Sequence, residues 1–263
     1  MSTKKYILKT KSLAVGYQQK KSVTIIQQDI NLQLLAGEFV TILGKNGIGK
    51  STLLRTLTKV QEQISGDVFL QQKKIQSYSL KELSTTISLV LTEKLPESQL
   101  TVFELVALGR QPYTNWIGKL QENDIERITS ALKLTETDDL AQKHFHELSD
   151  GQLQRVLIAR ALAQDTKIIM LDEPTAHLDM HHTIKVFQLL KKLSKETEKT
   201  IIITTHEVNL AINAADQLIL LTENNVICGT KNELIAKDSF NALFPSDIVN
   251  FNASIEQFII KKN

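Results

Sequence analysis

Apolar residues gather in short runs along this chain, spaced widely enough for helices to fit between them. The runs lie near Phe39–Leu43, Ile87–Leu91, Ile168–Leu171, Ile201–Thr205 and Leu218–Leu221. Runs of this length, rich in Ile, Leu and Val, predict strands buried on both faces. Segments of helical period fall between several of them, the pattern of a mainly parallel sheet covered by helices. LAVGY and GDVFL, nearer the N-terminus, read as antiparallel β structure. From about Pro96 to Asp165 the strand pattern stops. There Thr101 and Glu104 have capping-box spacing at the head of TVFELVALGR, and DIERITSALKL has a helical period. The expectation is one α/β domain over residues 1–263, with its core from 1–92 and 166–263 and an inserted α-helical block at 93–165. No repeat or linker interrupts it.

Composition narrows the class. Apolar residues make up 42% of 263, with 10 glycines and 4 prolines, so the chain has the make-up of an ordinary globular protein. A formal charge of +2 gives no electrostatic sign of a nucleic-acid groove. Cys228 is the single cysteine, which excludes an internal disulfide and fits a reducing compartment. The opening MSTKKYILKT has no apolar core of signal-peptide type. The longest unbroken apolar runs (LVAL, VLIA, IIML, LILL) have the length of four residues, too short for a bilayer span.

Three segments carry candidate chemistry. GKNGIGKST follows the strand-like EFVTIL and comprises Gly44, Lys45, Asn46, Gly47, Ile48, Gly49, Lys50, Ser51 and Thr52. It matches G-x-x-x-x-G-K-[ST] in the strand–loop–helix setting that the motif requires. Glycines let backbone N–H groups close around a phosphate, and the following helix turns its positive end toward the anion. Lys50 is expected to bridge β- and γ-phosphates, and the Ser51 hydroxyl to ligate Mg²⁺. In IIMLDEP a buried strand ends in Asp172, suited to holding Mg²⁺ through water, and Glu173, suited to polarising an attacking water. In IIITTHEV, His206 follows another buried strand and can hydrogen-bond a γ-phosphate.

A fourth segment raises a question. In LSDGQ, Leu148 to Gln152, Ser149 and Gln152 have N-cap and N3 spacing, and LQRVLIARALA continues as an amphipathic helix. As a plain cap it would only start a helix. As an anion site, Ser149 and the Gly151 amide would grip a phosphate at a positive helix end. This chain's own γ-phosphate already has Lys50, Glu173 and His206 around it. The economical reading is that LSDGQ serves a nucleotide held by a second copy.

The P-loop, LSxGQ, LDEP and strand-end histidine, in this order and spacing, resemble the ATP-binding subunit of an ABC transporter, from about Leu13 to Gly229. The resemblance implies a P-loop ABC ATPase fold in which two nucleotide-binding domains sandwich two ATP molecules head to tail. Ser149, Gly151 and Gln152 would then act in trans. AHLD, Ala176–Asp179, would be the loop that crosses the dimer, with Asp179 at the interface, and Tyr17 would stack on adenine. Two positions depart from the family pattern. Asp150 replaces the first glycine of the commoner LSGGQ, so its carboxylate must point away from the phosphates. The family's magnesium-sensing glutamine falls where this chain has Glu93, which as an acid can also ligate Mg²⁺. His177 and His181, four apart, could share a helical face as a zinc pair, but no third ligand is evident and zinc is not expected there.

ELVALGRQPYTNWIGKL, Glu104–Leu120, resembles the GR-x-P-Y/W stretch of ATPases serving iron–siderophore, haem or cobalamin importers. Tyr113 and Trp116 would either contact a membrane permease or pack inside the helical block. The implied partners are a second copy, a polytopic permease and, indirectly, an extracytoplasmic substrate-binding protein, with no nucleic acid. The implied location is peripheral, on the cytoplasmic face of the inner membrane. Manganese or zinc import, a soluble ABC ATPase acting on nucleic acid or ribosomes, and an ATP-binding switch with negligible turnover remain as alternatives. The tail from Asn232, with the strand-like FNASIEQFII, carries no legible function.

Overall fold

The computed structural model describes residues 6–19, 22–92, 96, 98–245 and 248–261. It starts with strands β1 (Tyr6–Gln19), β2 (Ser22–Ile30) and β3 (Gln33–Leu35), then β4 (Phe39–Leu43) and helix α1 (Lys50–Leu57). Next come β5 (Ser65–Leu70), β6 (Lys73–Lys74), α2 (Leu80–Ser84) and β7 (Ile87–Val90). Helices α3 (Val102–Ala107), α4 (Glu122–Leu134) and α5 (Asp150–Ala163) follow without a strand between them among the described residues. The alternation resumes with β8 (Ile168–Leu171), α6 (Met180–Glu196), β9 (Thr200–Thr204), α7 (Val208–Ala214) and β10 (Gln217–Leu221). The chain then runs through β11 (Val226–Gly229), α8 (Lys231–Ala236), β12 (Val249–Asn252) and β13 (Gln257–Ile260).

The central sheet has the order β11-β10-β4-β9-β8-β7. Its pairings are parallel except for β10 with β11. Side chains of a strand alternate between faces, and here both faces are covered. Phe39, Leu43, Ile169, Leu171, Ile201 and Ile203 join one apolar cluster with the helices. Val40, Ile42, Ile168, Met170 and Ile202 join another with α1 and the antiparallel sheet. That second sheet has the order β2-β1-β5-β6, with β3 also on β1. The strand-like tail proves to be a hairpin of β12 and β13 rather than one strand. Phe258 on it meets Phe244 at 5.3 Å.

The helical block shares the first cluster through Val102, Leu105, Ile128, Val156 and Ala159. Capping boxes Thr101–Glu104 and Ser149–Gln152 start α3 and α5, as their spacing predicts. A buried cation fastens the three helices. Arg110 is 3% exposed; its Nε donates to Asp124 Oδ1 at 2.9 Å and its Nη1 to the Ala163 carbonyl at 2.7 Å. The guanidinium also lies 4.0 Å from the Tyr113 ring centroid. Trp116, in contrast, is 94% exposed and does not pack inside the block.

Removing one member of a buried ion pair leaves the other charge uncompensated. Arg110→Met is therefore expected to destabilise the chain by about 3 kcal/mol, read as the midpoint shift in chemical denaturation. An unchanged midpoint would exclude the clamp.

Candidate functional site

Parallel register brings three strand ends to one edge. Ile42 pairs with Thr204 and Ile203 with Leu171, so the segments beginning at Gly44, Asp172 and Thr205 leave the sheet side by side. Ligands of open α/β sheets bind at such a carboxyl edge. The loop 44–49 then feeds α1 through Gly49, whose φ of +108° lies in the left-handed region that favours glycine. Gln27, on the antiparallel sheet, holds this loop from behind. Its amide donates to the carbonyls of Ile48 at 3.2 Å and Thr222 at 2.9 Å.

Lys50 lies at the bottom of the cleft, 4% exposed. Its Nζ donates to the carbonyls of Gly44 at 3.1 Å and Lys45 at 3.3 Å. It is 3.4 Å from His206 Nδ1 and 3.8 Å from Glu173 Oε1. Burial pushes the ammonium below its ordinary range, against the pull of Glu173 and Asp172. His206 Nε2 closes the group at 2.6 Å from Glu173 Oε1. Cation, carboxylate and imidazole thus form one contiguous group.

On the other side of the loop, Ser51 Oγ donates to Asp172 Oδ1 at 2.9 Å. Thr204 Oγ1 donates to the same oxygen at 2.7 Å and accepts the Glu173 N–H at 2.8 Å. Glu173 has φ +46°, in the left-handed region that non-glycine residues seldom enter. Thr204 fixes the Asp172 carboxylate and the Glu173 backbone, and it was not legible as a site residue, because a threonine at a strand end reads as ordinary β-branched filler. The available signal was a hydroxyl on the last residue of a wholly buried strand. Gln27 was equally silent in the sequence.

The cleft of about 480 Å³ is lined by Tyr17, Ile26, Asn46, Gly47, Gly49, Lys50, Ser51, Thr52, Glu173 and His206. Tyr17 is half exposed, its hydroxyl 3.2 Å from Thr52 Oγ1. Ser149, Gly151 and Gln152 do not line this cleft. Ser149 caps α5 instead: its Oγ accepts the Gln152 N–H at 3.3 Å, and its own N–H donates to Gln152 Oε1 at 3.0 Å. Asp179 caps α6, accepting the His182 N–H at 2.8 Å, and this bond with the His182 side chain holds its carboxyl below the ordinary range. His177 stands before α6 with φ +70°, so it does not share a helical face with His181. Among the described residues no group of three His, Cys, Asp or Glu is suited to a metal. Glu93 lies outside the described residues.

A phosphate loop between a buried strand and a helix, beside a strand-end carboxylate, defines a P-loop NTPase of the mainly parallel α/β type. Residues 27–176, more than half the chain, match the model of the ABC transporter family. An uncharacterised ABC transporter ATP-binding protein of Methanocaldococcus jannaschii is 38% identical over 98% of this chain and 88% of its own. The iron(3+)-hydroxamate import ATP-binding protein FhuC of Bacillus subtilis is 36% identical over 91% and 88%. Among solved structures, a metal-chelate type ABC transporter in an inward-facing conformation superposes with a TM-score of 0.78, at 29% identity, over 97% of this chain and 95% of its own. A dimeric bacterial ABC transporter cassette superposes with a TM-score of 0.73, at 31% identity, over 85% and 98%. The chain belongs to the ABC transporter family, as one of its ATPases.

Thr204→Val would keep the shape of the strand end and remove both hydrogen bonds. It is expected to cost about 1–3 kcal/mol, the penalty of an unpaired buried polar group, measured by denaturation against the wild type. A loss below a few tenths of a kcal/mol would contradict the tie.

Proposed function

We propose that this chain energises a membrane permease that imports a metal chelate, of the iron–siderophore, haem or cobalamin type, by closing two copies head to tail around two ATP molecules. The supporting observation is that the cleft holding Lys50, Glu173 and His206 lacks Ser149, Gly151 and Gln152 of its own chain. Those residues form a capped helix start elsewhere on the surface, with Asp150, Ser149 and Gln152 exposed or half-exposed. In the closed pair they would complete the partner's site, and Asp179 would lie at the interface.

Within one site, backbone N–H groups of residues 44–52 would surround the phosphates, with Lys50 on the β- and γ-groups. Tyr17 would give the adenine a stacking face worth about 1–3 kcal/mol. Ser51 and Asp172, two oxygen donors already 2.9 Å apart, fit the hard-cation chemistry of Mg²⁺ and would hold it, with Glu93 as a third donor. The ion supplies charge neutralisation at the transferring phosphoryl group. Glu173 would take the proton of the attacking water, and His206 would hold the γ-phosphate and orient the carboxylate.

The cargo class draws on the relatives. The petrobactin import ATP-binding protein FpuD of Bacillus anthracis is 38% identical over 88% of this chain and 83% of its own, and it adds to the hydroxamate importer above. Permease contact is supported by Tyr113, Trp116 and Ile117, large hydrophobic side chains exposed together on the helical block. No helix of the described residues is long and apolar enough to cross a membrane, which is consistent with a peripheral subunit on the cytoplasmic face. The extracytoplasmic binding protein would be met only through the permease.

Two outcomes test this reading. Glu173→Gln is expected to bind ATP as the wild type does and to lose turnover by about 10²-fold or more; near-normal hydrolysis would reject Glu173 as the base. Mixed dimers test the head-to-tail arrangement through release of trapped ATP in a Glu173→Gln background. A Ser149→Arg copy paired with a Lys50→Ala copy keeps one whole site and should retain ATP. A wild-type copy paired with a Ser149→Arg/Lys50→Ala copy keeps none and should release it about 10-fold faster or more. The reverse pattern would mean that Ser149 serves its own chain.

A further inference from the structure

The glycine of LSDGQ has a neighbour that the phosphate reading does not use. Gly151 lies in the first turn of α5 with an ordinary helical backbone, so no left-handed φ calls for glycine there. What excludes a side chain is the imidazole of His182. A Cβ on Gly151 would sit 2.5 Å from His182 Cδ2, 3.0 Å from Cγ and 3.2 Å from Nε2. Real side chains do not approach so closely, and the ring is not free to swing aside. Its Nδ1 lies 2.9 Å and 3.0 Å from the two carboxylate oxygens of Asp179, so this nitrogen carries the proton and donates. The His182 backbone N–H donates to the same carboxylate at 2.8 Å.

His182 therefore joins two segments that are about thirty residues apart in the chain. One edge of the ring rests on the start of α5, and the other is tied to the cap of α6. In the head-to-tail pair the first segment would reach the nucleotide of the second copy, and the second would lie at the interface beside it. We propose that His182 is a positioning residue: it holds Ser149 and Gly151 at a fixed spacing from Asp179, so that the two segments close on the partner's ATP as one rigid piece. This rests on the head-to-tail reading. It also accounts for a glycine at position 151, where the His182 ring leaves no room for a Cβ.

The mixed-dimer assay separates this proposal from the reading beneath it. All copies carry Glu173→Gln, and release of trapped ATP is the readout. A wild-type copy paired with a His182→Ala/Lys50→Ala copy has its one loaded P-loop facing the altered segment, and should release ATP about 10-fold faster than wild type paired with Lys50→Ala. A His182→Ala copy paired with a Lys50→Ala copy has its loaded P-loop facing an intact segment, and should release ATP at the unaltered rate. His182→Asn, which can still donate to Asp179, should recover part of the loss. ATP affinity of the separate His182→Ala chain, which depends on its own P-loop, should equal that of the wild type. Equal acceleration in both pairings, acceleration in neither, or acceleration only in the second would overturn the proposal. If Ser149→Arg shows the trans pattern and His182→Ala does not, only the positioning role fails. If Ser149→Arg itself acts on its own chain, the head-to-tail reading fails.

Discussion

Everything around the cleft depends on one buried ammonium. Lys50 is withdrawn from water between two backbone carbonyls, with the side chains of Glu173 and His206 beside it. A buried cation is costly without partners, and the carboxylate at 3.8 Å compensates it only in part. An incoming polyphosphate supplies the missing negative charge, at a loop whose N–H groups and helix end already favour an anion. The cost of burying Lys50 is thereby offset most fully when ligand is bound. This is how a fold can be preorganised for an anion.

That arrangement requires β4, β8 and β9 to end together, and hydrophobic patterning achieves it. Strands of four or five residues, apolar on both faces, can pair in only a narrow range of registers without exposing Ile and Leu to water. Once they pair, Gly44, Asp172 and Thr205 emerge at one edge. Thr204 then locks Asp172 and Glu173 to the end of β9, and Gln27 ties the antiparallel sheet to the phosphate loop. The helical block is joined to the same core through shared side chains, and Arg110 keeps its three helices in one arrangement.

Much of this was legible in the chain. The buried strands show as apolar runs, and two helix starts show in the Thr101–Glu104 and Ser149–Gln152 pairs, because capping is local chemistry. The phosphate loop was legible for the same reason: strand, glycines, lysine and hydroxyl are contiguous. What stayed hidden was contact between distant segments. Gln27 and Thr204 look like unremarkable strand residues until their partners, Thr222 and Asp172, are folded beside them. The positive φ of Glu173 leaves no sign in a residue type that normally avoids it. The His182–Gly151 contact joins segments that sequence spacing does not relate. The paired histidines of AHLDMHH suggested a helical face that α6 does not provide, because Asp179 starts the helix after His177.

The central claim is that Ser149 of one copy meets the phosphate loop of another when ATP is bound, and a disulfide reports it most directly. Cys228 gives a silent background, since burial pushes its thiol up to about 12. Asn46→Cys and Ser149→Cys would be made in separate full-length chains, mixed, and oxidised with and without Mg²⁺-ATP. A disulfide between the two chains that forms only with nucleotide is expected. A disulfide that closes within the Asn46→Cys/Ser149→Cys double variant as a monomer, or no ATP-dependent link between chains, would contradict it.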